Sequence, residues 1–228
     1  MVELTRHRVN GITLTVLSRS PGQSVHPPAV LLPGTGSTAT DWDAVATDLS
    51  RDRTVHAVSL RGHGDSEWPG SYSIDLMADD LVRLLPRLGP RVDLIGHSLG
   101  GLVACRAIAA GAPTPRRLVL EDVGLLHPRP AATPARPDGD LDFDWAVVEQ
   151  VRPEIDDPAA HWPDTLARIA VPTLAIGGGA ESFLPQEHVA ELVALVQRGS
   201  HVTIDAGHRI HASRPDEFVR AVRAFLDT

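Results

Sequence analysis

The sequence predicts an α/β fold: a mostly parallel sheet covered by helices on both faces, with a small insertion late in the chain. Three observations carry this reading. Strand-sized apolar runs alternate with helical patterns along nearly all of the 228 residues, and that order builds parallel strands through helical crossovers. Asn10-Gly11 separates residues 3–9 from ITLTVLS (12–18), and this dipeptide is a strong signal for a two-residue hairpin. The alternation breaks once, between Gly124 and Val171, where the chain becomes proline-rich and loses its periodicity.

The hairpin supplies an antiparallel edge. AVLLP (29–33) follows as a short continuous apolar run, the pattern of a strand buried on both faces. WDAVATDLS reads as a helix, with Thr40 and Asp43 spaced as a capping pair. TVHAVSL (54–60) is the next strand, and SIDLMADDLVRLLPRL a long amphipathic helix. RVDLIGH (91–97) is a strand, followed by the helix LGGLVACRAIAA. RRLVLED (116–122), PTLAIGG (172–178) and HVTID (201–205) are further strands, with helices expected in PQEHVAELVALVQR and RPDEFVRAVRAFLDT.

Between the sixth and seventh strands of this series, HPRPAATPARPDGD has the composition of a loop. FDWAVVEQVR (143–152) then repeats apolar residues at helical spacing, and HWPDTLARI (161–169) suggests a second short helix. Residues 1–228 therefore read as one domain, with 125–170 inserted as a short lid. Phe143, Trp145 and Val147 are the residues expected to cover a pocket.

Composition narrows the chemistry. The formal charge is −8, from 29 acidic and 21 basic residues, and no basic run offers a surface for nucleic acid. No stretch approaches the ~20 apolar residues that span a bilayer. The start, MVELTRHRVNG, lacks the apolar core of a signal peptide, which gives a cytoplasmic expectation without a membrane partner. Every basic residue is arginine, so Schiff-base catalysis and a phosphate-binding lysine are excluded. A single cysteine, Cys105, excludes an internal disulfide and a cysteine-rich metal centre. No cofactor or metal is called for.

Gly96-His97-Ser98-Leu99-Gly100 is a G-x-S-x-G sequence between a predicted strand and a predicted helix. A nucleophile on so sharp a turn has strained backbone angles, and glycines two before and two after it remove side chains that would collide. Ser98 Oγ then stands at a helix N-terminus, where the dipole favours developing negative charge. A serine hydroxyl also needs a base within hydrogen-bond reach. Eleven histidines are available, nine of them on early strands, turns, the insertion or surface elements. His208 and His211 remain, on the loop after the last strand.

With these motifs the chain resembles the α/β-hydrolase family over nearly its whole length. Leu31-Leu32-Pro33-Gly34-Thr35-Gly36 is similar to the family's loop after the third strand, and Arg61-Gly62-His63-Gly64-Asp65-Ser66 to its turn after the fourth. Gly207-His208, with Pro215 and Phe218, is similar to its histidine loop and last helix. Pro33 stands where the family usually has His, and Ser59 where it usually has Asp. The resemblance implies Ser98 as nucleophile, His208 rather than His211 as base, and an oxyanion hole from the Thr35 and Leu99 amides. For the acid, Asp122 at the end of the sixth strand resembles a position used by some branches, while Glu181 in GGGAESFLP matches the usual slot after the seventh. Asp122 is preferred for its rigid strand end; Glu181 is the alternative.

The implied activity is a serine hydrolase acting on the ester, thioester or lactone of a small acyl substrate. A cofactor-free perhydrolase or haloperoxidase-like activity, a carbon–carbon bond hydrolase, and a slow-turnover binding protein on the same scaffold are the competing expectations. Fold alone does not separate them.

Overall fold

The computed structural model describes residues 1–132 and 134–228, so Thr133, inside the expected proline-rich loop, lies outside the described residues. Eight strands form one sheet: β1 (Val2–Val9), β2 (Ile12–Arg19), β3 (Ala29–Leu32), β4 (Val55–Ser59), β5 (Asp93–His97), β6 (Arg117–Glu121), β7 (Thr173–Gly177) and β8 (Gly199–Thr203). Their order is β1-β2-β4-β3-β5-β6-β7-β8. β1, β2 and β4 pair antiparallel, and every pair from β4–β3 onward is parallel. At the hairpin, Asn10 and Gly11 take φ of 46° and 82°, the doubly left-handed backbone that the first turn requires.

The central strands are apolar on consecutive positions because both faces are covered. Val30, Leu32 and Leu94 point into one core, with α2 (Ile74–Leu88) and α3 (Leu99–Ala109). Leu31 and Ile95 point into the other, with α1 (Asp43–Leu49) and α8 (Pro215–Leu226). This is the period-two alternation of a strand read against two hydrophobic layers. Helix α2 starts where Ser73 Oγ accepts the Leu76 N–H at 3.0 Å, and it buries Met77, Leu81, Leu84, Leu85 and Leu88 along one stripe. Each such buried aliphatic side chain contributes about 1.5–3 kcal/mol.

Some local expectations are corrected. Thr40 does not cap α1: it lies inside a 3₁₀ turn, Ala39–Trp42, and its hydroxyl meets Thr38 Oγ1 at 2.9 Å. The helix expected from residue 143 begins later, as α4 (Ala146–Asp156). Phe143 is instead held in a backbone bridge to His63, and Asp144 turns its carboxylate to accept the Ala146 N–H at 3.0 Å and the Tyr72 hydroxyl at 2.7 Å. A second short helix, α5 (Trp162–Ala167), completes the insertion. Helix α6 (Gln186–Leu195) ends three residues early, because Val196 is already extended and leads into β8. The last loop carries a one-turn helix, α7 (Ile210–Ser213), before α8. Among the described residues, no helix is long and apolar enough to cross a membrane.

Candidate active site

The C-terminal ends of the parallel strands converge on one edge of the sheet, where doubly wound folds place their ligands. Ser98 follows β5 with φ 49° and ψ −119°. Its N–H donates to the Glu121 carbonyl at 3.1 Å, and its carbonyl accepts from Gly101 and Leu102, which starts α3. The flanking glycines have a steric reason. A Cβ on Gly100 would lie 2.4 Å from the Leu32 carbonyl oxygen, and one on Gly96 would lie 2.7 Å from the Gly101 backbone. Only bare backbone lets α3 approach β3 closely enough to form this elbow.

Three non-glycine residues have a left-handed φ among the described residues: Asn10 of the hairpin, Ser98, and Asp122 at 47°. Strain of this kind persists where the surroundings over-determine it. At Asp122 those surroundings are hydrogen bonds. Oδ1 accepts the Gly178 N–H at 2.9 Å, while Oδ2 accepts Ser182 Oγ at 2.5 Å and His208 Nδ1 at 2.6 Å. Burial alone would raise the Asp122 carboxyl; the bonds from His208, Ser182 and Gly178 outweigh it and hold the group below the usual carboxylate range. With Nδ1 donating to a carboxylate, the His208 lone pair sits on Nε2, which has no partner among the described residues.

Glu181, the alternative acid, is exposed in a 3₁₀ turn and makes no side-chain hydrogen bond among the described residues. It is not brought to His208. The preceding glycines carry the chain past the site: Gly178 contributes its N–H to Asp122, and the 3₁₀ turn leaves the glutamate pointing to solvent.

His211 is nearby but committed elsewhere. Its ring Nδ1 lies 2.8 Å from both Glu121 carboxylate oxygens, its N–H donates to Glu121 Oε1 at 2.7 Å, and Nε2 faces Asp41 Oδ2 at 3.3 Å. The ring stacks on Trp42 with centroids 4.2 Å apart. Burial lowers its affinity for a proton, but the hydrogen bonds and charges of Asp41 and Glu121 prevail and bring the pKa to about 9. An imidazolium with both nitrogens engaged cannot serve as a base. Successive carboxylates at the end of β6 thus hold two histidines of one loop: Glu121 holds His211 on one side, and Asp122 holds His208 on the other. His97 joins them, since its Nε2 donates to the His208 carbonyl at 2.9 Å. Burial pushes His97 down to about 4, so it is a neutral brace.

This arrangement gives a pH-dependent expectation. His211 has a higher pKa folded than unfolded, so its contribution to stability is fully present below about pH 6.5 and is lost as pH rises through about 9. In urea unfolding, the stability difference between the native protein and His211→Gln should be largest in the acid range and shrink across that window. A difference that is flat with pH would show that the ion pair does not form.

Opposite the elbow, the Pro33–Gly36 loop packs closely on it; a Cβ on Gly34 would meet His97 Nδ1 at 2.7 Å and Ser98 Cβ at 3.2 Å. The N–H of Gly36 donates to His63 Nε2 at 3.1 Å, and His63 Nδ1 donates to the Arg61 carbonyl at 3.0 Å. The N–H groups of Thr35 and Leu99 have no acceptor among the described residues. Arg61 is itself fixed by two bonds to Asp80, at 2.6 and 2.8 Å. Ser59 Oγ accepts the Ala39 N–H at 3.2 Å, a bracing role at the family's aspartate position.

Of the three cover residues, Phe143 lies over this loop, 3.1 Å from where a Gly36 Cβ would be, and Trp145 is half-buried beside it. Val147 differs from expectation: it is fully buried and packs at Gly62 beside Tyr72, so it anchors α4 to the domain instead of facing a pocket. Cys105 is core, its thiol pushed up to about 12 by burial. Sequence reasoning did not single out Ser182, Phe183 or Asp41, and gave Glu121 only a place on the strand face opposite Asp122. Only the adjacent Glu121-Asp122 pair carried a signal, because strand alternation sends the two carboxylates to opposite faces.

A family model described as "Alpha/beta hydrolase family" matches residues 29–221, and the chain belongs to that family. It is a hydrolase of α/β fold. The chain is 28% identical to Esterase Rv0045c of Mycobacterium tuberculosis, over 89% of this chain and 83% of the relative. It is 25% identical to Esterase YbfF of Escherichia coli, over 88% and 93%. The solved structure of an enol-lactonase from Burkholderia xenovorans LB400 superposes with a TM-score of 0.86 at 24% identity, covering 98% of this chain and all of the other, a likeness of fold.

Proposed function

We propose that the protein is a serine hydrolase that cleaves the ester, thioester or lactone bond of a small acyl substrate through an acyl-enzyme on Ser98. The observation that carries this reading is the 2.6 Å contact between His208 Nδ1 and Asp122, which leaves His208 Nε2 without a partner among the described residues. His97, next to Ser98 in sequence, holds the same histidine's carbonyl. The esterase names of the two relatives support the same class.

In this mechanism Ser98 Oγ attacks the acyl carbon while His208 Nε2 takes its proton. Asp122 keeps the imidazole in the competent tautomer and stabilises the imidazolium. The Thr35 and Leu99 N–H groups receive the oxyanion, each such donor being worth about 3 kcal/mol. The imidazolium then protonates the leaving group, and water repeats the sequence to release the acid and free Ser98. No metal or organic cofactor enters any step.

Residues 125–170 are proposed as a short lid, with Phe143 and Trp145 covering the acyl side. Its helices, α4 and α5, have 11 and 6 residues, too little to build a deep multi-helix cap. The test is a series of p-nitrophenyl esters from acetate to laurate, with and without a lipid–water interface. Acetate and butyrate should turn over faster than laurate, without acceleration at the interface. Hydrolysis of none of them would refute the activity, and a steep interfacial jump would refute the short lid.

A further inference from the structure

Phe183 is the most exposed aromatic side chain among the described residues, at 75% relative exposure, yet its ring lies against His208 with centroids 4.2 Å apart and planes 41° apart. Burial does not account for that placement. The residues on either side of it are tied to the carboxylate that holds the histidine: Ser182 Oγ donates to Asp122 Oδ2 at 2.5 Å, and the Leu184 N–H donates to Ser182 Oγ at 3.0 Å. A large apolar ring is therefore carried beside the base by a hydrogen-bonded turn and left open to solvent, where it lacks the apolar cover that normally stabilises a phenylalanine.

Chemistry says which part of a substrate arrives there. When the tetrahedral intermediate collapses, the bond from the acyl carbon to the alcohol oxygen breaks, and that oxygen takes the proton from His208 Nε2. The leaving oxygen must then lie within about 2.6–3.2 Å of that nitrogen. Whatever the oxygen carries projects along the flank of the imidazole. On the acyl-enzyme reading the acyl oxygen goes instead to the Thr35 and Leu99 amides. Resting on the acyl-enzyme reading above, we infer that Phe183 forms an apolar leaving-group subsite, and that the preferred substrates are esters of aromatic or bulky apolar alcohols.

Ethyl and benzyl acetate share an acyl group and have leaving alcohols of comparable acidity, so their ratio of kcat/KM isolates contact with the alcohol. The native enzyme should favour benzyl acetate, and Phe183→Ala should lower the benzyl-to-ethyl ratio by about tenfold, as expected for losing contact with one apolar face. Phe183→Leu should restore part of the ratio. Any general disturbance of His208 lowers both rates together and cancels in the ratio. An unchanged ratio, with or without slower turnover of both esters, would overturn the inference and leave the acyl-enzyme reading standing. Failure of the native enzyme to cleave either ester would overturn both.

Discussion

Ser98→Ala should lower kcat for ester hydrolysis by about 10⁶ while leaving unfolding by urea unchanged. The size follows from the way nucleophile and base act as one unit: removing either loses nearly everything that the pair supplies, and only the oxyanion donors and binding remain. His208→Ala should therefore match it, and the double variant should be little worse than either single one. The intact fold follows from the structure. Ser98 Oγ makes no hydrogen bond among the described residues, and the elbow is held by backbone bonds to Glu121, Gly101 and Leu102. Alanine keeps the Cβ that already occupies the left-handed position. Steady-state kinetics beside urea titration checks both halves. Residual turnover above about one per cent, with contaminating esterase excluded, would remove Ser98 from the mechanism.

Asp122→Asn should cost about 10⁴ in kcat, by analogy with the serine-protease triad. Asp122 accepts from Gly178, Ser182 and His208 at once. An asparagine has one acceptor oxygen for these donors. If its NH₂ faces His208 Nδ1, the imidazole must carry its proton on Nε2, the wrong tautomer to accept one from serine. KM should move little, because the carboxylate lies behind the histidine and away from the substrate. Glu181→Gln should leave kcat within twofold of native, since that side chain is exposed and bonds nothing among the described residues. A loss below tenfold in Asp122→Asn would contradict the assignment, and a larger loss in Glu181→Gln would transfer it.

The parts of this site that the sequence reveals are those determined locally. The elbow is legible because five consecutive residues contain the serine and the glycines that its geometry needs, between an apolar run and a helical pattern. The strands are legible because two-sided burial writes itself as continuous aliphatic runs such as Ala29–Leu32. The acid proposed to orient His208 is less so. Asp122 and His208 are 86 positions apart, and their meeting depends on β6 lying between β5 and β7, with the β8 loop folding back across them. No local pattern encodes that, so the sequence by itself leaves Glu181 in the usual slot as an alternative, and the hydrogen bond from His208 to Asp122 separates the two.

Side-chain direction is likewise not written in the local sequence. The period of the α4 segment was readable, but which face meets the domain is set by the space above Gly62, and Val147 fills it. The partners of His211 are not legible in the sequence, because nothing near it announces Glu121 or Asp41, which are 90 and 170 residues away. Phe183 gave no signal at all. An exposed aromatic in a glycine-rich turn has no periodicity, and its meaning comes only from the histidine beneath it.

The central claim, a covalent acyl-enzyme on Ser98, is tested most directly by mass spectrometry of the intact protein after exposure to a fluorophosphonate. The phosphonyl group should add once per chain, map to the peptide containing Gly96-His97-Ser98-Leu99-Gly100, and be absent from Ser98→Ala. Its rate of addition should fall steeply in Asp122→Asn, where the histidine no longer activates the serine. No adduct on the folded native protein, or one adduct that persists in Ser98→Ala, would contradict the account.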